Sequence, residues 1–204
     1  VAAGAAATVA NLPEPAPQRP TVIAARPSDP VPPTPRPSSA APAAPSSRPA
    51  ATRTTTPATV ALTPGRTVSL ESADRPGLFV STTSGLGVLT PATDAAARRQ
   101  ATFATLDGVG NAACFSFRAQ DGRYLRHASW RFRLDPDQGT PLFRGDATFC
   151  PKPGTPTGAI TLEASNYPGW FLHHRGSELW VDQTDGSAAF LAESSFRARP
   201  GLTG

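Results

Sequence analysis

The sequence predicts an all-β domain built from three copies of one unit, which follow a proline-rich segment. Seven residues between Gly122 and Phe149 recur unchanged 47 positions later, His127 and Asp135 among them. A weaker copy begins at Ser69, where SLESADRPGLFV matches TLEASNYPGWFL near the end of the chain. Self-similarity at a fixed spacing indicates a repeat architecture. The chain therefore contains three copies of a unit of about 46 residues, which begin near Ser69, Ser116 and Thr161.

Each copy shows a pattern of short strands separated by turns. In the third copy, apolar stretches at 160–163, 170–173 and 179–182 and a last one near Phe196 alternate with Pro-Gly and Asp-Gly turns. Four such strands per copy predict about twelve strands in all. Four-stranded blades also build propellers, but a propeller needs at least about four blades to close its ring. Three copies therefore predict a β-trefoil, a closed barrel capped by hairpins.

Residues 1–66 have a composition that cannot form a core. They hold 15 of the 24 prolines and none of the 15 aromatic residues. We therefore expect a disordered Pro/Ala/Arg-rich linker with extended polyproline II character. The apolar residues 1–10 are too few to span a bilayer, and three origins stay open for them: the end of a signal peptide, the end of a membrane helix, or an Ala-rich start. The folded domain is predicted to occupy residues 67–204.

The formal charge of +4 belongs to the linker. Residues 1–66 carry six arginines against Glu14 and Asp29, whereas residues 67–204 carry 13 basic and 13 acidic residues. The linker arginines are scattered singly between prolines, and the domain is neutral. A basic pI of about 9.8 therefore does not indicate a nucleic-acid partner here.

The two cysteines, Cys114 and Cys150, both lie in the second copy. Their spacing matches neither a Cys-His metal cluster nor a Cys-x-x-Cys redox pair, so the choice is between a disulfide and two buried thiols. An extracytoplasmic location favours the disulfide, which would join the first strand of the second copy to its last strand.

Two segments resemble a known family. The second copy contains GRYLRHASWRFRLDPDQGTPLFRGDATFC, and the third contains NYPGWFLHHRGSELWVDQTDGSAAFLAESSF. The Tyr-Leu-Arg-His strand, the Asp-x-x-x-Gly turn and the closing Asp-Ala-Thr-Phe resemble the arabinose-binding domain of α-L-arabinofuranosidase B, carbohydrate-binding module family 42. The resemblance covers residues 68 to about 202 and all three copies. It implies a β-trefoil in which each copy can bind an arabinofuranose side chain.

The resemblance also implies the site residues. The family binds sugar through a His and an Asp, which are His127 and Asp146 in the second copy. The third copy keeps His174 but has Glu193 at the Asp position, and the first copy has lost both residues. Among the aromatic residues, Trp130 and Tyr167 are candidates to stack on a sugar ring. Asp135 and Asp182, each four residues before a glycine, are interpreted as turn residues that bond their own backbone.

The function implied by the resemblance is noncatalytic binding of α-L-arabinofuranosyl side chains in arabinoxylan, arabinan or an arabinose-containing cell wall, without a cofactor or metal. We expect a monomer outside the cell or at its surface, held by the linker to whatever precedes residue 1, a membrane anchor included. Two alternatives stay open. One is an interaction or structural trefoil with degenerate pockets. The other is the appended module of an α-L-arabinofuranosidase whose catalytic domain lies elsewhere.

Overall fold

A computed structural model describes residues 58–203 of the chain. Of the predicted linker over residues 1–66, the part at 1–57, which includes the segment at 1–10, lies outside the described residues. The described part contains twelve strands: β1 (Thr67–Ser72), β2 (Leu78–Thr83), β3 (Leu86–Pro91), β4 (Phe103–Asp107), β5 (Phe115–Arg118), β6 (Tyr124–Ala128), β7 (Arg131–Asp135), β8 (Phe149–Pro153), β9 (Ile160–Ala164), β10 (Trp170–Arg175), β11 (Glu178–Gln183) and β12 (Ser195–Pro200). The all-β prediction is confirmed.

Six of these strands pair into a closed ring. Strand β1 pairs with β4 and β12, and the ring continues from β4 through β5, β8 and β9 back to β12. Closure leaves no unpaired strand edge along this ring. Its interior is filled by fully buried apolar side chains, which include Leu70, Phe103, Phe117, Phe149, Leu162 and Phe196.

The other six strands form three hairpins, β2–β3, β6–β7 and β10–β11. The hairpins pair with one another through β3–β7, β7–β11 and β11–β3. Their tips are tied by one recurring hydrogen bond, in which a turn carbonyl accepts from an amide of a neighbouring hairpin: Gly85 from Leu134 at 2.9 Å, Trp130 from Val181 at 2.7 Å and Ser177 from Leu89 at 2.8 Å. Each hairpin tip is therefore held by a hydrogen bond to the hairpin of another copy of the repeat.

Each copy also contains one short helix that the strand pattern did not predict. The helices are α1 (Ala95–Gln100), α2 (Pro141–Asp146) and α3 (Ala188–Glu193). Each begins after a polar cap residue that accepts a hydrogen bond from the backbone amide three residues later, namely Asp94, Thr140 and Ser187. Six residues are too few to display an amphipathic period, so the caps were the only sequence signal. No helix among residues 58–203 is long and apolar enough to cross a membrane.

The disulfide between Cys114 and Cys150 is confirmed, with the sulfur atoms 1.96 Å apart. It joins the residue before β5 to β8 beside the paired residues Phe115 and Phe149. The bridge spans 36 positions of sequence, and on the chain-entropy account a loop of this length contributes about 4 kcal/mol of stability.

The last residues of the predicted linker contact the barrel before β1 begins. The amide of Val60 donates to the carbonyl of Ala198 at 2.9 Å. The side chains of Val60 and Leu62 pack against the core. The segment at residues 58–66 forms no strand of its own: Val60 bonds β12, whereas Gly65 and Arg66 bond Thr105 of β4.

Candidate functional site

The second copy brings its predicted site residues together. His127 lies on β6, and Asp146 is the last residue of α2. Both side chains are buried, with 3% and 5% of their surface exposed. His127 faces inward because it lies two residues after the core residue Leu125 and therefore on the same face of the strand. The imidazole Nε2 lies 3.4 Å from Asp146 Oδ1.

Asn166, which belongs to the third copy, completes this arrangement. Its Oδ1 lies 3.2 Å from His127 Nε2, and its Nδ2 donates to Asp146 Oδ1 at 2.8 Å. With Asn166 Oδ1 as acceptor, His127 carries its proton on Nε2 and donates it. We call His127, Asn166 and Asp146 the polar triad. The triad is an array of hydrogen-bond donors and acceptors assembled from two copies of the repeat, in which His127 and Asp146 are buried and Asn166 is exposed.

Burial and charge set the protonation of His127. Burial lowers the pKa of His127 from its ordinary value of 6.5, and the nearby Arg126 acts in the same direction. The Asp146 carboxylate and the hydrogen bond with Asn166 oppose this shift without cancelling it. The imidazole is therefore neutral at neutral pH.

Arg126 lies between two carboxylates beside the triad. Its Nε donates to Asp135 Oδ2 at 2.9 Å, and its Nη1 lies 3.7 Å from Asp146 Oδ2. Interpreting Asp135 and Asp182 as turn residues was wrong, because both lie in strands and bind side chains across their hairpins. The turn bonds come instead from Asp137, which accepts from Gly139, and from Asp185, which accepts from Ser187.

Two aromatic rings wall the pocket above the triad. Trp130 is parallel to the His127 ring, with centroids 6.1 Å apart and planes at 4°. Tyr167 meets His127 edge-on at 5.5 Å and Trp130 at 5.0 Å. Both predicted stacking residues are 37% exposed. They border a pocket of about 390 Å³ whose lining also includes Arg126, Gln138, Leu142 and Asp146.

A carboxylate behind the pocket holds the hairpin that carries Asn166 and Tyr167. Glu163, on β9, accepts a hydrogen bond from the amide of Gly169 at 2.7 Å and lies 3.4 Å from Lys152 Nζ. In the first copy, Glu71 accepts from the amide of Gly77 in the same way at 2.8 Å. This bond closes the tight turn between β9 and β10, in which Asn166 and Tyr167 lie.

The third copy does not bring its predicted pair together. His174, only 1% exposed, bonds through Nε2 to both oxygens of Asp74, at 3.1 and 3.0 Å. Glu193 bonds instead to His173 Nε2 at 3.0 Å, and His173 Nδ1 bonds to Asp182 at 3.0 Å. Burial acts to raise the pKa of Asp74, but hydrogen bonds from Ser72 and His174 outweigh it and lower the pKa below 3.8.

The first copy has neither residue type. The equivalent positions, Thr82 and Gln100, line a pocket of about 430 Å³ together with Asp121 and Arg123 of the second copy. The pockets of the first and second copies thus follow one rule, in which a strand and helix end of one copy meet the first hairpin of the next.

Sequence reasoning missed the residues that the next copy supplies. Asp74, Asp121 and Asn166 occupy the same place in the first hairpin of each copy, and two of them bond the buried histidines. An acid or amide at one position of all three copies was a signal available in the alignment of the repeats. The alignment does not show which histidine each of these residues bonds, because 39 positions separate His127 from Asn166 and 100 separate His174 from Asp74.

Comparison with known proteins matches most of the described residues. A family model described as the Alpha-L-arabinofuranosidase B (ABFB) domain matches residues 68–198. An arabinofuranosidase/B-xylosidase of Trichoderma koningii is 30% identical over 143 residues, which are 67% of this chain and 29% of that protein. An alpha-L-arabinofuranosidase B of Emericella nidulans is 30% identical over 148 residues, with the same shares. The chain thus spans less than a third of the length of these curated relatives.

Solved structures show the same fold. An α-L-arabinofuranosidase soaked with a cyclic sulfate inhibitor aligns with a TM-score of 0.64 and 24% identity, over 72% of this chain and 33% of its own. An arabinofuranosidase complexed with an arabinofuranosyl-xylobiose aligns with a TM-score of 0.63, 25% identity and the same shares. A Polyporus squamosus lectin aligns with a TM-score of 0.55 and 10% identity, over 69% of this chain and 50% of its own.

Proposed function

The chain belongs to the alpha-L-arabinofuranosidase B (ABFB) domain family, and from this premise we propose that it is a noncatalytic module that binds a terminal α-L-arabinofuranosyl group in the second-copy pocket. The observation that carries the proposal is the polar triad, with His127 and Asp146 buried, beside Trp130 and Tyr167. Family membership supports the sugar class, and the triad supports the choice of copy.

The chemistry of the pocket suits a neutral furanose. A carboxylate accepts hydrogen bonds from two neighbouring hydroxyls at once, and neutral imidazole and carboxamide groups both donate and accept. Asp146 Oδ2 has only the distant Arg126 Nη1, at 3.7 Å, among its ion-pair partners, so this oxygen retains acceptor capacity. The flanking rings of Trp130 and Tyr167 offer apolar surface to the C–H face of the sugar.

A binding role fits the pocket better than hydrolysis. Glycoside hydrolysis usually uses two carboxyl groups placed around the scissile bond. Among the described residues that line this pocket, Asp146 supplies the single carboxylate. The polar triad therefore has the groups to hold a sugar but lacks an acid and base pair at that site.

Further parts of the proposal concern the surroundings of the site. We propose that the domain is a β-trefoil of three copies, supported by the six-strand ring and the three mutually paired hairpins. We propose a disordered Pro-rich spacer before it, a monomeric state and a location outside the cell or at its surface, which the disulfide supports. The partner would be arabinoxylan, arabinan or an arabinose-containing cell wall.

Two other functions have an observation in their favour. Only one of the three copies in the described residues has the triad, which favours an interaction or structural trefoil with degenerate pockets. The names of the relatives favour the appended module of an α-L-arabinofuranosidase, since those proteins are about three times as long as the matched part.

Titration calorimetry of the full chain with methyl α-L-arabinofuranoside tests the proposal. We expect weak binding, roughly millimolar, because a single furanose has few atoms to contact. Asp146→Ala and His127→Ala should each lower the affinity by about tenfold or more, since each leaves buried polar partners unpaired. Asp146→Asn, which keeps the shape of the side chain, serves if an alanine variant unfolds.

The matched control is Gln100→Ala, which changes the same helix-end position in the first copy and should leave the affinity unchanged. Thermal unfolding of each variant separates lost folding from lost binding. Undiminished binding in folded Asp146→Ala and His127→Ala variants would overturn the site. No binding to the furanoside or to any arabinose-containing glycan would overturn the function in favour of an interaction domain.

A further inference from the structure

A second cleft adjoins the proposed furanose pocket, and Trp130 forms part of both. This cleft has a volume of about 530 Å³ and is lined by Trp130, Trp170, His173, Trp180, Asp182 and Gln183, among others. Trp130 stacks on Trp170 with centroids 4.0 Å apart and planes at 17°. Because Trp130 also borders the pocket above the triad, the two cavities meet along its ring.

The backbone of Trp130 is unusual for so large a residue. It lies in the two-residue turn between β6 and β7, and both Ser129 and Trp130 have left-handed conformations, with φ of 49° and 65°. The first copy has Gly85 at this place, with φ of 77°. Glycine adopts such angles freely, whereas a bulky side chain there is strained and persists only when its surroundings hold it. Strain of this kind is found mainly at functional sites.

The Trp130 ring nevertheless keeps 37% of its surface exposed. If Trp130 only filled the core, its side chain would be buried rather than exposed to this extent. The Trp130 ring instead contacts Trp170, Tyr167 and His127, and these contacts hold it between the two cavities. The turn therefore presents an aromatic edge to both of them.

The polar groups of the second cleft are held in place by one another. Asp182 accepts hydrogen bonds from Arg175 and bonds to His173 Nδ1 at 3.0 Å. The Arg175 guanidinium lies over the Trp180 ring, 4.7 Å from its centroid. The Asp182 carboxylate is thus engaged by Arg175 and His173. The exposed side chains of Gln183 and Asp185 in the cleft lining remain available to hydroxyl groups. Aromatic walls with a few oriented polar groups are typical of sites for neutral sugars.

We propose that this cleft is a second sugar subsite, which binds the residue to which the terminal arabinofuranose is attached. The inference rests on the proposed function, because the terminal group must occupy the triad pocket for its neighbour to cross the edge of Trp130. The ligand is then at least a disaccharide. That neighbouring sugar is either a furanose of an arabinan or a pyranose of a xylan main chain.

The test compares three ligands on the full chain: methyl α-L-arabinofuranoside, arabinotriose and arabinofuranosyl-xylobiose. At least one trisaccharide should bind about tenfold more tightly than the monoside, because it adds contacts with aromatic rings and polar groups. Trp180→Leu should remove this gain and leave the affinity for the monoside unchanged. Gln183→Ala, an exposed substitution that spares the aromatic walls, should reduce the gain if Trp180→Leu fails to fold. Trp130→Gly, which restores the residue type of the first copy, should weaken all binding.

The outcomes separate this inference from the function on which it rests. A gain for arabinotriose assigns the subsite to a furanose, and a gain for arabinofuranosyl-xylobiose assigns it to a pyranose. Binding of the monoside with no gain for either trisaccharide overturns the second subsite and leaves the proposed function standing. A gain that survives both Trp180→Leu and Gln183→Ala also overturns it. No binding of the monoside overturns both.

Discussion

The second and third copies place the same kinds of residue at the same positions but connect them differently. In the second copy, the helix-end carboxylate of Asp146 bonds to Asn166 and lies beside His127. In the third copy, the helix-end carboxylate of Glu193 bonds to His173. His174 bonds to Asp74 and not to Glu193. One copy thus has a connected triad, and the other has two separate pairs.

The residue before each buried histidine explains much of the difference. Arg126 is engaged by Asp135 at 2.9 Å and stays 3.7 Å from Asp146, which leaves that carboxylate to Asn166. His173 has a ring nitrogen free after it bonds Asp182, and this nitrogen takes Glu193 at 3.0 Å. The residue in the first hairpin accounts for the remaining difference. An amide such as Asn166 can link an imidazole to a carboxylate, whereas the carboxylate of Asp74 can only accept hydrogen bonds.

The largest effect should come from breaking the disulfide, which the second copy has and the third lacks. Replacing Cys114 and Cys150 by serine should lower the free energy of unfolding by about 4 kcal/mol, since the unfolded chain regains the freedom of the closed loop. Denaturant unfolding under oxidising conditions measures this. Reduced wild-type protein is the control and should unfold at the same denaturant concentration as the variant. An unchanged midpoint would contradict the assigned role.

A smaller effect should follow from placing an Asp beside His127, as Asp74 lies beside His174 in the third-copy site. Asn166→Asp removes the amide donor and sets a second carboxylate beside Asp146. The pKa of His127 should rise, because nearby negative charge favours the imidazolium form. Affinity for methyl α-L-arabinofuranoside should fall by about tenfold, in line with the loss of a hydrogen bond to the buried Asp146 carboxylate. NMR titration of the imidazole and calorimetry give the two values.

Asp74→Asn is the matched control for this exchange. It makes the complementary change beside His174 of the third copy and should leave both the His127 titration and the furanoside affinity as they are in the wild type. An unaltered His127 pKa in Asn166→Asp would show that the triad is not coupled in the way its geometry indicates.

The smallest effect concerns pH. Burial lowers the pKa of His127 below 6.5 in the folded protein, so the unfolded chain takes up a proton that folded His127 does not. The contribution of this residue to stability is therefore complete above about pH 6.5 and decreases as the pH falls toward the folded pKa, by at most about 1.4 kcal/mol per pH unit. Thermal unfolding between about pH 7.5 and 5 measures the decrease.

His127→Gln isolates the contribution of His127 to the pH dependence of stability, because glutamine does not titrate. The slope of stability against pH should be shallower in the variant than in the wild type. The charged groups that face His127, Asp146 and Arg126, are retained in both proteins. Equal slopes would mean that His127 titrates alike in the folded and unfolded states.

Much of the fold and part of the site were predictable from sequence. The alternation of apolar residues with turn residues predicted the strands, and the three helices escaped because each has six residues. His127 and Asp146 were identified from the family motif, and Trp130 and Tyr167 as aromatic residues able to stack on a sugar; all four border one pocket. Asn166 was not identified, since nothing local to residue 127 specifies which hairpin will lie against it.

What the sequence by itself determined is the local order of strands, turns and cysteines, because these follow from side-chain period, backbone preference and spacing along the chain. Only the tertiary structure decided which carboxylate each histidine meets. The closed ring and the linked hairpin tips bring the end of one copy against the first hairpin of the next. A buried polar atom must then bond whatever donor or acceptor that packing brings within reach, which is Asn166 for His127 and Asp74 for His174.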